Sequence, residues 1–389
     1  MKNPDAIVIG AGIVGAACAL QLAKAGMQVL VIDRGAIASG TTGSGEGNIL
    51  VSDKEPGPEL TLALRSRDAW FELSDSIGGG FELEPKGGLV VARSDGGIRD
   101  LRELASRQRV ARVAIEEVDG DRLRELEPYL SKEISFGVRY QGDAQCQPML
   151  ATAQLLRIVK ERGGAVLPET QVTGISSEQG AVKYVETSRG RFSSGIVVNA
   201  GGTWAGEIAT LAGSFLPIAP RRGFILVTAP TPHLIRHKVY DGDYVANVAS
   251  DDASVQSSAV VEGTRSGTIL IGASRERVGF ASNFDLSILR LLAIQAIALF
   301  PVLKNVPLMR SYYGFRPYAP DHLPVIGQDP TLKGLWHAAG HEGAGIGLAP
   351  ATAELVTAQI MGSKTFMDAE PFSPARFYLN GRPRIELMS

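Results

Sequence analysis

"DAIVIGAGIVGAACALQLAKAGMQVLVID", residues 5–33, decides the fold. Its opening "DAIVIG" is a short, nearly all-apolar run, the pattern of a strand buried on both faces of a parallel sheet. Gly10, Gly12 and Gly15 follow in G-x-G-x-x-G spacing. Helix formers then run from Ile13 to about Ala25, where Gly26 is placed to stop them. "MQVLVID" reads as a second strand ending on Asp33. The first glycine allows a tight turn, the second lets backbone approach a pyrophosphate, and the third lets helix pack close to strand. A helix starting there, with Ile13 and Val14 in its first turn, presents unpaired N–H groups to phosphates. Asp33, followed by Arg34, can accept from ribose hydroxyls. A lone glycine repeat is a weak signal. With a strand before it, a helix after it and a terminal acid, it reads as a dinucleotide grip that does not choose between NAD and FAD.

The chain around this motif has 389 residues, more than one usual core, so two domains or one domain with a large insertion is expected. With 44% hydrophobic and 21% charged residues it has a globular composition rather than a disordered one. A formal charge of −2 gives no basic excess for nucleic acid or anionic lipid. Cys18 and Cys146 have neither metal-ligand spacing nor a disulfide framework, so no metal is expected and a reducing, cytoplasmic setting is. The N-terminus enters a strand at once, so no signal peptide is expected. No uncharged apolar stretch reaches the roughly 18 residues of a membrane span. The apolar run 286–303, broken by Arg290 and Gln295, reads as a buried helix.

After Asp33 comes "RGAIASGTTGSGEGNILV" (34–51), an irregular stretch of the kind that tends to be functional in compact domains. A helix over about 59–77 follows, then a strand-rich region, 81–145, in which "GGLVVARS" and "ISFGVRY" flank a charged helical segment. "PMLATAQLLRIVKERGG" (148–164) has helical spacing with Gly163 as its cap. "AVLPETQVTGIS" (165–176) and "AVKYVET" (181–187) read as strands. "GIVVNAGGTWAGEIATLAG" (195–213) reads as strand, glycine turn and helix. A second strand-rich block runs from "RRGFILVTA" (221–229) through "GTILIGAS" (267–274). Alternating β and α units build one domain, and the two strand-rich blocks pair into a second, mostly antiparallel one. The expected class is therefore α/β, a Rossmann-type domain with an inserted α+β substrate domain.

A second glycine-spaced helix start, "GHEGAGIGLAPATAE", lies at 340–354. With "VVNAGGTWAGEIA" (197–209), "YGFRP" (313–317) and "DHLPVIG" (321–327), it makes the chain resemble the D-amino-acid oxidase superfamily of flavoproteins. The likeness is to the branch of glycine and sarcosine oxidases and of the amine-oxidising subunits of hydroxyproline, proline and opine dehydrogenases. It implies residues 1–80, 146–214 and 325–370 as a discontinuous FAD-binding domain, 81–145 and 215–324 as the substrate domain, and 371–389 as a C-terminal tail.

In that family the late turn lies against the flavin ring. The resemblance thus places Gly340, His341, Gly343, Ala344, Gly345 and Ile346 beside the isoalloxazine. Two helix N-termini would serve two negative charges, one fixed at the pyrophosphate and one acquired by the ring on reduction. Each helix end is worth about 0.3–2 kcal/mol to a nearby anion. A nicotinamide becomes neutral on reduction and gives the second turn little to do, which tips the choice to FAD. Val172, Ala200, Gly201 and Trp204 are implied at the adenosine end. Ser39, Thr41, Thr42, Gly45, Glu46 and Gly47 lie on the loop implied to cross the ring. No cysteine lies in "SYYGFRP" or the late turn, so the FAD is expected to be non-covalent.

On the substrate side, Arg316 matches the family's carboxylate-binding arginine, whose planar fork suits a bidentate clamp. Tyr244 matches a tyrosine at the substrate mouth. Glu46, set among glycines, is a candidate to attract the substrate ammonium or to tune ring charge; a solvated loop carboxylate is the plainer alternative. Tyr312, Tyr313, His341 and Glu342 are weaker candidates, and His337, Arg221 and Arg222 read as structural. The implied activity is FAD-dependent oxidation of a small amino acid or opine at its C–N bond. The donor carries a secondary amine or D configuration, and electrons pass to a partner subunit. An oxidase of glycine or sarcosine type, releasing H2O2, is the alternative.

Overall fold

A computed structural model describes residues 3–242 and 256–388. Its first sheet grows from the strand Ala6–Ile9, whose four residues are all buried. Parallel neighbours are Val29–Ile32 on one side and Val197–Asn199 on the other. The full order is Val325–Gln328, Leu335–Ala339, Val197–Asn199, Ala6–Ile9, Val29–Ile32, Ala165–Leu167, with only the Val325–Gln328 pairing antiparallel. The first helix, Ile13–Lys24, stops at Ala25, and Gly26 follows in the left-handed region at φ +91°. It packs with Gly345–Ile360, Pro58–Ile77 and Pro148–Glu161 in one apolar core. Trp70, fully buried there, donates its Nε1–H to the Ile346 carbonyl at 3.0 Å and so fixes where the late helix begins.

The second sheet has eight strands in the order Leu308–Tyr318, Ala219–Thr228, Ile269–Arg275, Gln256–Gly263, Lys238–Asp241, Gly88–Ala92, Phe136–Tyr140, Ile115–Asp119. Only Lys238–Asp241 with Gly88–Ala92 is parallel, so the sheet is mostly antiparallel as expected. The fold is mixed α/β, a Rossmann-like, mostly parallel sheet joined to a mostly antiparallel one.

Two details depart from the sequence reading. The 286–303 helix ends at Leu299, followed by a short 3-10 turn over Pro301–Asn305. Pro301 has no N–H to continue the ladder and drives Phe300 to an extended backbone. The run 165–176 divides at Pro168. Ala165–Leu167 stays in the first sheet, while Val172–Glu178 joins a separate antiparallel sheet with Ala181–Thr187 and Gly190–Ser193. Toward the C-terminus Phe372 and Phe377 are buried, and Arg376 pairs with Asp321 at 2.6 Å. Among the described residues no helix is long and apolar enough to cross a membrane.

Candidate functional site

A cavity of about 680 Å³ takes its walls from both sheets, including Ile9, Ile32 and Ala338 of the first and Ile225, Ala273 and Arg316 of the second. That volume lies within the range typical of cofactor and ligand pockets. Both glycine turns open into it: Gly10, Gly12, Ile13 and Val14 on one side, His341, Gly343, Gly345 and Ile346 on the other. A Cβ built on Gly345 would sit 3.8 Å from a methyl of Val14, so the two helix starts are neighbours in space. The late helix has no side-chain cap on its first N–H groups.

At the first turn Gly10 has φ +116°, and a Cβ there would collide with the Ala200 carbonyl. Asp33 lines the cavity while its two oxygens accept from the Ala11 and Gly35 amides at 2.7 and 2.8 Å, which orients the carboxylate. Arg34 lies over the Trp204 ring at 4.1 Å, and Trp204 stacks on Phe280. Arg34, Trp204, Val172, Ala200 and Gly201 all line the cavity.

The loop implied to cross the ring is tied down by its hydroxyls. Thr42 Oγ1 accepts from the Ile13 amide at 3.0 Å. Thr41 Oγ1 donates to the Phe315 carbonyl at 2.7 Å, and Thr203 Oγ1 donates to the same oxygen at 2.8 Å. Ser39, Thr41, Thr42, Gly45 and Glu46 all line the cavity. Glu46 is buried, contrary to a solvated loop carboxylate. Its Oε2 accepts from Asn48 Nδ2 at 2.7 Å and lies 3.5 Å from Lys238 Nζ. Lys238 in turn lies 3.0 Å from Glu262, and both are buried.

Arg316 reaches the cavity from the strand Leu308–Tyr318 and donates Nη1–H to the Ser274 carbonyl at 2.8 Å. A Cβ on Gly343 would sit 3.5 Å from its Nε, so the guanidinium lies against the late turn. In that turn burial pulls the His341 imidazole down to about 3, keeping it neutral, with Nε2 3.0 Å from Thr352 Oγ1. Burial works against ionising Glu342, yet His322 and Arg221 beside it hold its carboxyl below the usual range.

Not every residue singled out from the sequence faces the cavity. Gly15 serves the close approach of helix to strand: its missing Cβ would meet the Gly10 carbonyl. Gly47 packs on the Cys146 backbone instead, so its small size makes room for the chain itself and not for a ligand. Gly340, at φ +72°, turns the chain against Ile218 and Val325, and Ala344 caps the late helix; neither lines the cavity. Tyr244 lies outside the described residues. Tyr312 sits behind the loop, its hydroxyl 3.4 Å from the Gly45 carbonyl, and burial with Glu46 nearby raises its pKa well above normal. His337 is fully buried between Asp329 (2.9 Å) and Asn199 (3.3 Å). Arg222 is held by Glu276 at 2.6 Å. Neither cysteine lines the cavity. Sequence reasoning placed Asn48 only as the end of the loop from Ser39, and missed Thr203 and Lys238. Thr203 stood inside a quoted motif, whereas nothing local to Lys238 marks it.

These walls fit FAD: a glycine cradle under one helix start, a second uncapped helix start beside it, and a terminal acid oriented by backbone. Comparison with known proteins agrees. The family model described as FAD dependent oxidoreductase (DAO) matches residues 5–359. Glycine oxidase of Geobacillus kaustophilus is 28% identical over 382 residues, covering 96% of this chain and 97% of that protein. L-proline dehydrogenase from P. horikoshii superposes with a TM-score of 0.88 at 28% identity, covering 97% of this chain and 98% of the other. The structure of the Geobacillus kaustophilus glycine oxidase gives the same TM-score at 25% identity, over 97% of this chain and 100% of that one. The chain belongs to the DAO family of FAD dependent oxidoreductases.

Proposed function

We propose that the protein oxidises the C–N bond of an amino acid to the imine. The preferred donors are secondary-amine or D-amino acids such as proline, hydroxyproline or an opine, and electrons leave to a partner subunit or carrier. Arg316 is the observation that supports this reading most directly. It is a guanidinium on the cavity wall, held by the Ser274 carbonyl and laid against the turn that opens the late helix. Bound FAD supplies the hydride acceptor. The chain's own part is orientation. Arg316 takes the substrate carboxylate, the apolar walls Ile225 and Ala273 exclude water, and neutral His341 adds no charge to compete with the amine. Residues 1–80, 146–214 and 325–370 are the proposed FAD-binding unit and 81–145 with 215–324 the substrate unit, in a reducing, cytoplasmic setting. Similarity to an L-proline dehydrogenase supports the dehydrogenase assignment.

The similarity to glycine oxidases supports a second reading, in which O2 is the acceptor and H2O2 the product. One experiment addresses both. The purified protein is mixed anaerobically with glycine, sarcosine, D-alanine, D-proline, hydroxyprolines and opines, and flavin bleaching is followed. Air is then admitted. Bleaching by a secondary amine with slow reoxidation supports the dehydrogenase; fast reoxidation with peroxide supports the oxidase. Absence of bleaching by every donor overturns amino acid oxidation.

A further inference from the structure

The strands Ala219–Thr228 and Leu308–Tyr318 pair antiparallel, and in their register Gly223 stands directly opposite Gly314. Glycine inside a strand forfeits side-chain packing and often marks a close approach by another group. Neither of these two has the positive φ that would call for glycine on backbone grounds. What each makes room for differs. A Cβ on Gly314 would run into Ser44 of the loop implied to cross the ring. A Cβ on Gly223 would lie 2.8 Å from Arg316 Cζ and closer still to its Nη1. The Arg316 side chain, whose own cross-strand partner is Arg221, thus reaches along the sheet to lie over Gly223. The next strand makes way as well. Ile269–Arg275 pairs with Ala219–Thr228 at Leu226 with Ile271 and Val227 with Leu270, and again at the isolated bridge of Arg222 with Glu276. In the gap between them, the Phe224 amide donates to Ser274 Oγ at 2.9 Å, and the Ser274 carbonyl accepts from Arg316 Nη1. Gly223, Gly314, Ser44, Arg316 and Gly343 all line the cavity.

We propose that Gly223 is a positioning residue for substrate binding, the seat that fixes the Arg316 guanidinium where it meets the substrate carboxylate. The inference rests on the reading of Arg316 as the carboxylate anchor and adds what holds that anchor in register. A bidentate clamp needs the plane of its fork fixed, and a mobile arginine loses rotamer freedom each time it binds. Here the arm is confined before any substrate arrives. Gly223 underlies Nη1 and Cζ, Ser274 takes Nη1–H, and the late turn at Gly343 bounds Nε and Cδ. A side chain at position 223 displaces the guanidinium from this surface and breaks its bond to Ser274. Gly314, on the same rung, does the corresponding work for Ser44 and none for Arg316.

The test is a double-mutant cycle on the FAD-loaded protein with FAD in excess. Its readout is the affinity for furan-2-carboxylate, which has a carboxylate and no amine, followed by the change in flavin absorbance. Gly223→Ala and Arg316→Lys are each expected to weaken binding at least about tenfold, the loss of one charge-assisted hydrogen bond. The double variant is expected to match Arg316→Lys alone within about twofold, because lysine lacks the guanidinium that the new methyl would strike. The methyl would also meet the Ser274 carbonyl. Damage by that route does not depend on residue 316, so the two losses would then multiply, and a multiplicative result overturns the inference. Gly314→Ala is the control, and its loss is expected to multiply with that of Arg316→Lys. Coupling there as strong as at Gly223 would mean a general loosening of the sheet and would also overturn the inference. Should Gly223→Ala not fold, recovery of a flavin-loaded protein on adding Arg316→Lys supports the inference, and failure of both overturns it. The two readings fail separately. Unchanged affinity in Arg316→Lys removes the carboxylate anchor and this inference with it, whereas weakened binding there with full affinity in Gly223→Ala sinks this inference alone.

Discussion

Thr42 Oγ1 accepts the Ile13 amide at 3.0 Å, so a residue of the irregular loop caps the helix of the first glycine turn from 29 positions away. Gly12, the residue before that helix, supplies no side-chain cap. The loop implied to cross the ring and the turn implied to hold the pyrophosphate are therefore joined by one hydrogen bond.

Replacing Thr42 with Val keeps the shape and removes the acceptor. The expected cost is about 0.5–2 kcal/mol, the usual value of a lost helix cap. Urea denaturation of the flavin-free protein gives the stability change, and fluorescence titration with FAD gives the accompanying loss of affinity. Unchanged values in both would show that water replaces the hydroxyl without loss.

Gly10→Ala should be far more damaging. At φ +116° a side chain costs about 1–3 kcal/mol in backbone strain alone, and the new methyl would also collide with the Ala200 carbonyl. The expected product is a poorly stable protein that purifies without flavin. Gly26→Ala has a positive φ but no atoms within reach of the added methyl, and should lose stability while retaining FAD. Flavin-to-protein absorbance ratios distinguish the two.

Arg316→Ala is expected to retain flavin and to lose about 10- to 100-fold in kcat/KM, corresponding to the 1.5–3 kcal/mol of hydrogen bonds to a charged group. Anaerobic stopped-flow bleaching over a range of substrate concentrations measures it. A normal bleaching rate would remove Arg316 from the substrate site.

His341 sets an acid limit on stability. Its folded pKa of about 3 lies below the ordinary 6.5, so in mild acid the unfolded chain binds a proton that the folded one refuses. The contribution is complete above about pH 6.5 and falls as pH drops toward about 3, with a slope of up to about 1.4 kcal/mol per unit. Denaturation midpoints compared at about pH 7 and about pH 5 should fall for wild type and stay closer together for His341→Gln.

The dinucleotide half was legible because its signals are local. An apolar strand, three spaced glycines, a helix and an acid all occur within 5–33, and backbone geometry fixes what they do together. The late turn was legible for the same reason. Glycines outside such a frame are ambiguous. Gly45 faces the cavity and Gly47, two positions on, makes room for Cys146, and no local pattern separates the two roles. The Glu46–Lys238 contact joins positions 192 apart, set by how the eight-stranded sheet meets the loop, and no periodicity encodes it. The end of the 286–303 helix was readable in principle from Pro301, whose effect on Phe300 outweighs the apolar run around it.

The Phe315 carbonyl, which receives the hydroxyls of both Thr41 and Thr203, belongs to the residue immediately before Arg316. The proposed substrate anchor is thus tied, one peptide away, to the two segments proposed to cradle FAD. A breathing motion of the large sheet would carry all three parts along as one jig. On the proposed reading, the distance between donor and acceptor is then set by these two hydrogen bonds and one peptide rather than by the packing of the two sheets.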